Sequence, residues 1–179
     1  MMIQTKKDDD TEMLPLVDEN GLLIGAATRK ECHDGSKPLH PVVHLHVFNE
    51  AGELYLQKRP EWKTIQPGKW DTAVGGHVDL GENAEMALKR EAVEELGLKD
   101  FEPVLLETYV YESDVEKELV FTYRCTCVGP IAPSGETDGG AFWKLEDITA
   151  QLEQGVFTPN FETEYRRFFL KEKAEEKQL

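Results

Sequence analysis

Apolar and polar residues alternate over 41–49 (PVVHLHVFN), the two-residue period of a strand with one buried face. A turn at 50–52 and a return through 53–59 (ELYLQKR) predict its pairing partner. Upstream, 14–27 (LPLVDENGLLIGAA) reads as a hairpin that turns at Glu19-Asn20-Gly21. Downstream, 105–111 and 119–128 predict another strand pair joined by the acidic ESDVEKE, and 141–145 (AFWKL) a short strand. The period changes to helical over 84–96, where Ala84, Ala87 and Leu88 share a face at about 100° per residue. Asn83 suits the cap of that helix, Glu85 its first turn and Gly97 its left-handed stop. A helix beginning at Asp147 and ending near Gly155, and a final one over 161–175, complete the chain. Strands, one mid-chain helix, strands, then helices predict an α/β fold with a mixed sheet covered on both faces.

The mid-chain helix carries more than packing. Glu91 and Glu95 continue the stripe begun by its alanines, with Glu94 and Arg90 on the shoulder. A helix that buries this stripe aims carboxylates at the protein, where they repel one another and resist ionising unless a cation sits among them. An oxygen-only, acid-rich cluster suits a hard divalent ion such as Mg2+. A solvated acidic helix laced with i,i+4 pairs is the common meaning of such runs. It does not account for glutamates in line with the apolar stripe, nor for the fixed spacing G-x5-E-x7-R-E-x2-E-E-x-G from Gly76 to Gly97. Seven such identities coincide by chance about once in 10^8 starts at ordinary residue frequencies.

That spacing resembles the Nudix box at every charged and glycine position, with Ala92 smaller than the usual aliphatic. The resemblance implies a Nudix-type α/β/α sandwich. It also implies hydrolysis of a phosphoanhydride in a nucleoside-diphosphate-linked or related diphosphate by metal-activated water, with Mg2+ or Mn2+ as cofactor. It assigns Glu91, Glu94, Glu95 and the backbone carbonyl of Gly75 as metal ligands, Arg90 as the fork orienting the glutamates, and Glu82 as a brace. The Gly75-Gly76 pair leaves backbone open to metal and phosphate. Proton acceptors for the attacking water include Glu94, Glu95, and the loop glutamates Glu116, Glu118 and Glu136.

The flanks, VDENGLLIGAATRKECHDGSKPLHPVVHLHVFNEAGELYLQKR and PGKWDTAVGGHVDLGE, resemble isopentenyl-diphosphate isomerase and its hydrolase-like relatives. Positions matching the isomerase's second metal site are His33, His40, His77, Glu116 and Glu118, and Trp143 falls at its active-site tryptophan. Three imidazoles with carboxylates favour a transition metal such as Zn2+ or Mn2+. Two departures separate this chain from the isomerase: Gly75 stands where the isomerase has its catalytic cysteine, and all three box glutamates are retained. The expectation is a hydrolase. The alternatives are an isomerase-like enzyme, or a domain that binds a diphosphate without cutting it, although such domains usually lose a box glutamate.

Composition narrows the partners. The 179 residues fit a single domain with an ordered core near 14–170, and the polar ends, 1–13 and 171–179, are expected to fray. A formal charge of −15 argues against nonspecific binding to nucleic acid or anionic membranes. Three cysteines fit a reducing cytoplasm, and Cys125 and Cys127 at i,i+2 suit core packing on a strand. Lys58, Arg59, Lys63 and Lys69 are candidate phosphate contacts, at least two of them expected to be ordinary solvated charges, while Trp62, Trp70 and Phe142 are expected in the core.

Overall fold

The computed structural model describes residues 9–63 and 65–170; most of the N-terminal stretch and the whole tail expected to fray lie outside the described residues. Strands β1 (Met13–Val17) and β2 (Leu23–Thr28) form the expected antiparallel hairpin. Thr28 then caps a single helical turn, α1 (Arg29–Cys32), through a capping box with Glu31 that the sequence reading passed over.

A seven-stranded mixed sheet is centred on β3 (Leu39–Phe48). β3 meets β4 (Leu54–Lys58) in register only at Phe48 opposite Leu54, so the hairpin expected there is a turn rather than a ladder. The reason is that β4 pairs instead with β5 (Trp70–Thr72) and with the later β9 (Gly140–Trp143). This frees the edge of β3 for β6 (Val74–His77), antiparallel, with Gly75 opposite His44 and Gly76 opposite Val43. Helix α2 (Ala84–Leu96) follows. β7 (Val104–Glu112) and β8 (Lys117–Thr126) form the second expected hairpin, and β8 runs parallel to β3 along its length.

Period two along β3 divides the core between two layers. Val43, Leu45 and Val47 pack with Ala87, Leu88, Ala92 and Leu96 of α2, and Cys125 and Cys127 lie in the same cluster as free, buried thiols. On the opposite face Phe48, Leu54 and Leu56 meet Ile148 of α3 (Leu145–Ala150) and Phe161 and Tyr165 of α4 (Pro159–Tyr165). The result is the expected α/β/α sandwich.

The C-terminal elements depart from expectation in detail. α3 begins at Leu145 rather than Asp147, because Glu146 and Asp147 occupy its first turn, where the helix dipole favours acids, and it ends at Ala150. β9 accordingly stops at Trp143. The last helix starts two residues early, since Thr158 caps it and Pro159 supplies the first turn, and it passes into a π-helical turn over Arg166–Leu170. Trp143 packs edge-on against Trp70 and Phe157, half-buried against the α4 layer and apart from the site below. Among the described residues no helix is long and apolar enough to cross a membrane.

Candidate active site

Local signals set α2 in place: Asn83 Oδ1 accepts from Met86 N at 2.9 Å, and Gly97 adopts φ 62°. With its apolar face fixed against β3, the same face brings Glu91 and Glu95 against the glycines of β6. Glu95 Oε2 accepts from the Gly75 amide at 3.1 Å. A Cβ at Gly76 would overlap the Glu91 carboxyl, so glycine is required at that position for the carboxylate to lie on the backbone. Arg90 donates bidentately to Glu82, Nε to Oε1 at 2.8 Å and Nη2 to Oε2 at 3.1 Å. Its Nη1 donates to Glu91 Oε1 at 2.7 Å and reaches Glu94 Oε2 at 3.5 Å, while Nη2 also donates to the His77 carbonyl at 3.0 Å. Glu82 in turn accepts from the Asp79 amide at 3.0 Å. Glu82, Arg90, Glu91, Glu95 and Gly75 are thus brought together, with Glu94 at the more exposed rim. Oxygen donors lying directly on open backbone fit a hard divalent ion.

The electrostatics follow from burial. Burial, then the neighbouring Glu91, push the Glu95 carboxyl up to about 8, with Glu136 and Asp71 adding to it against the Gly75 amide. The hydrogen bonds from Arg90 hold Glu82 below the usual range. Glu91, Glu94 and Glu95 line a cleft of about 1020 Å3. It joins a smaller cavity of about 220 Å3 at His44, Gly75, Glu95, Glu136 and Asn160. Arg59 and Lys63 line the smaller cavity, whereas Lys58 and Lys69 line neither. Trp70 and Phe142 pack in the core as expected; Trp62 is 67% exposed, a correction explained by its place on the surface loop after β4.

The second set also assembles. Ligand atoms of His33, His40 and His77 lie within 4.8 Å of one another, as do those of His40, Glu116 and Glu118. The parallel register places His40 opposite Glu118, and the α1 turn delivers His33. His33 bonds the Arg29 carbonyl through Nδ1 at 2.7 Å and Glu116 through Nε2 at 3.1 Å. His40 is fully buried, with Nδ1 on the Pro38 carbonyl at 3.0 Å and Nε2 without a hydrogen-bond partner, 4.0 Å from Glu118. Burial lowers His40 and, with help from Arg29, takes His77 down to about 3. Burial and Glu116 raise Glu118 to about 7, while the hydrogen bond with His33 lowers Glu116. The Glu116 hydrogen bond raises His33, but the orphaned His40 nitrogen beside His77 and two carboxylates fits a transition metal. Of the loop glutamates named from sequence, Glu136 lines both cavities, Glu118 reaches the large one, and Glu116 is paired with His33.

Sequence reasoning missed a third cluster. His44 and His46 alternate with apolar residues along β3, and both bond the buried Glu164. Burial pulls His44 down, but the Glu164 carboxylate beside it outweighs this and lifts it to about 9. Two histidines inside an apolar strand were the available signal, since buried rings need polar partners.

These shifts set a pH response. Glu95, Glu118 and His44, ordinarily near 4.5, 4.5 and 6.5, are raised to about 8, 7 and 9. Above pH 6.5 the folded chain therefore holds protons that the unfolded chain has released, so stability falls as pH rises. His77, depressed to about 3, is neutral in the folded state, and because its unfolded ring sheds its proton around pH 6.5 it opposes the trend only at the start of this range. In chelator, the melting temperature should drop between pH 6.5 and 8; a rise would contradict the assignment.

Comparison with known proteins supplies the relatives. The NUDIX domain family model matches residues 38–167. An isopentenyl-diphosphate Delta-isomerase of Leifsonia xyli subsp. xyli is 32% identical over 159 residues, covering 83% of this chain and 83% of its own. An uncharacterized Nudix hydrolase of Yersinia pestis is 29% identical, covering 83% of this chain and 81% of its own. Among solved structures, a MutT protein of Methanosarcina mazei is similar with a TM-score of 0.64 and 26% identity, over 77% of this chain and 98% of that one. A Deinococcus radiodurans structure shares the fold at TM-score 0.73 and 24% identity, over 88% of this chain and 99% of that one.

Proposed function

The chain belongs to the Nudix family, and from that premise we propose that it is a divalent-metal-dependent pyrophosphohydrolase acting on a nucleoside-diphosphate-linked or related diphosphate. The observation that carries this reading is the Arg90 fork, which holds Glu82 and Glu91 while Glu95 lies on the Gly75 amide at the cleft. In this reading Glu91, Glu94, Glu95 and the Gly75 carbonyl hold Mg2+ or Mn2+. When bound, the ion supplies screening of the diphosphate charge and a lower pKa for the attacking water. Arg90 and Glu82 keep the carboxylates in register, and the two glycines let phosphate oxygens approach the backbone.

The second reading, isomerisation of an allylic diphosphate, is favoured by the histidine cluster and by relatives named isopentenyl-diphosphate Delta-isomerase. It lacks the cysteine that such an enzyme uses for proton transfer. Gly75 stands where that enzyme's cysteine would be, and none of the buried Cys32, Cys125 and Cys127 lines either cavity. The histidine set, with Glu116 and Glu118, would hold a second, transition-metal ion.

A screen with Mg2+ and Mn2+ over nucleotide sugars, dinucleotides, nucleoside triphosphates and prenyl diphosphates tests the assignment. The protein should release a phosphorylated product from one of these classes and leave isopentenyl and dimethylallyl diphosphates unexchanged. Efficient exchange would overturn the hydrolase reading. Tight diphosphate binding with no turnover would instead mark a sensing domain.

A further inference from the structure

Glu164 of α4 lies outside the box acids, yet it is the most heavily bonded carboxylate on the α4 side of the sheet. Its side chain is 2% exposed. His44 Nδ1 donates to its Oε1 at 2.8 Å and His46 Nε2 to its Oε2 at 2.8 Å, while the hydroxyls of Tyr109 and Thr122 donate to Oε1 at 2.7 and 2.8 Å. Burying a carboxylate is costly unless it is well hydrogen-bonded, and four donors from three strands, three on Oε1 and one on Oε2, offset that cost here.

The cluster is not closed. His46 and Thr122 are fully buried, but the His44 side chain is 20% exposed and lines both cavities. His44 stands opposite Gly75 in the β3–β6 ladder, and a Cβ at Gly75 would touch its ring at Cδ2, 3.6 Å away. Glycine there leaves that edge of the imidazole uncovered. With Nδ1 committed to Glu164, Nε2 has no hydrogen-bond partner among the described residues. The ring thus sits at the junction where the cleft of the box acids meets the cavity of Arg59 and Lys63.

We propose that His44 Nε2 donates a hydrogen bond to a nonbridging oxygen of the bound diphosphate, and that Glu164 is the positioning residue that holds the ring for this contact. The inference rests on the hydrolase reading and extends it to a substrate contact. The chemistry is one of balance. Glu136 and Asp71 line the smaller cavity, so a polyanion entering it meets like charge. A divalent ion held by the α2 glutamates would answer for oxygens on that side. Oxygens directed toward the smaller cavity need donors from the protein, and His44 with Arg59 and Lys63 supplies them. An imidazolium between a carboxylate and a phosphate donates a charge-assisted hydrogen bond to each, shorter and stronger than neutral ones.

Calorimetric titration with methylenediphosphonate in Mg2+ tests the contact without turnover. His44→Ala should weaken binding at least ~10-fold while Mn2+ affinity at the glutamates is unchanged. Glu164→Gln, which keeps the shape but not the charge, should give an intermediate loss. On a diphosphate that the wild type cleaves, His44→Ala should raise KM more than it lowers kcat. In wild-type protein, which raises no question of folding, the 15N resonance of His44 Nε2 should shift when methylenediphosphonate is added. Wild-type-like affinity in His44→Ala, an unmoved resonance, or no binding by the wild type would each overturn the proposal. Turnover reports separately: a cleaving enzyme indifferent to His44 sinks the contact alone, and weakened binding without any cleavage sinks the hydrolase reading alone.

Discussion

Glu95→Gln is expected to cut Mg2+-dependent turnover at least ~100-fold with the fold intact. The amide keeps the shape of the side chain, and its oxygen can still accept from the Gly75 amide that Glu95 holds at 3.1 Å. What it loses is the negative charge that a hard cation requires at this position. The same substitution should not weaken the chain in chelator. Burial and Glu91 push Glu95 up to about 8, so without a cation the ionised form is disfavoured and a neutral amide relieves the crowding. The pH-dependent fall in melting temperature described above should shrink in this variant. Steady-state turnover and melts in chelator check both halves. Full activity would remove Glu95 from the acid set, and a marked loss of stability in chelator would make its carboxylate a prop of the fold.

Legibility in the sequence followed locality. α2 was readable to its ends because its cap, stripe and left-handed stop all lie within fifteen residues of one another, and the structure has Asn83 and Gly97 in those roles. Its glutamates were readable for the same reason, since a stripe shared with buried alanines can face only one way. β5 and β6 escaped notice because three or four residues, two of them glycine in β6, are too short for alternation to register. The pairing of β4 with β9 depends on contacts across more than eighty residues, which no local pattern encodes. Resemblance bridged some of that distance and misled elsewhere. It named His33, His40, His77, Glu116 and Glu118, whose ligand atoms the structure gathers in two overlapping groups, although His40 meets Glu118 only through the parallel β3–β8 register. It aligned Trp143 with the isomerase's active-site tryptophan, whereas the structure packs it half-buried against the α4 layer. Glu164 was invisible because nothing around it on α4 distinguishes it from a solvated acid; its four partners come from β3, β7 and β8.

The wild-type protein is expected to retain roughly one equivalent of a transition metal such as Zn2+ or Mn2+ after dialysis, and the His40→Ala/His77→Ala double variant to retain almost none. The second coordination layer argues for this as much as the cluster itself. Nδ1 of His40 donates to the Pro38 carbonyl, which commits its tautomer and leaves Nε2 as the ligating atom, whereas His33, with Nδ1 on the Arg29 carbonyl and Nε2 on Glu116, would have to release Glu116 to bind metal. Burial lowers His40 and takes His77 to about 3, so both rings are neutral, the form that binds metal, across the neutral range. Glu118, raised to about 7 by burial and Glu116, would give up its proton readily to a cation. The buried and unpartnered His40 Nε2 is costly in a purely structural role. Elemental analysis of both proteins decides the matter, with Glu95→Gln as the control that should keep its transition metal because its defect lies in the other set. Added Zn2+ or Mn2+ should raise the melting temperature of Glu95→Gln but not that of the double variant, since only a site present in the folded state couples binding to stability. Equal metal content in the wild type and the double variant would reduce the three histidines to packing.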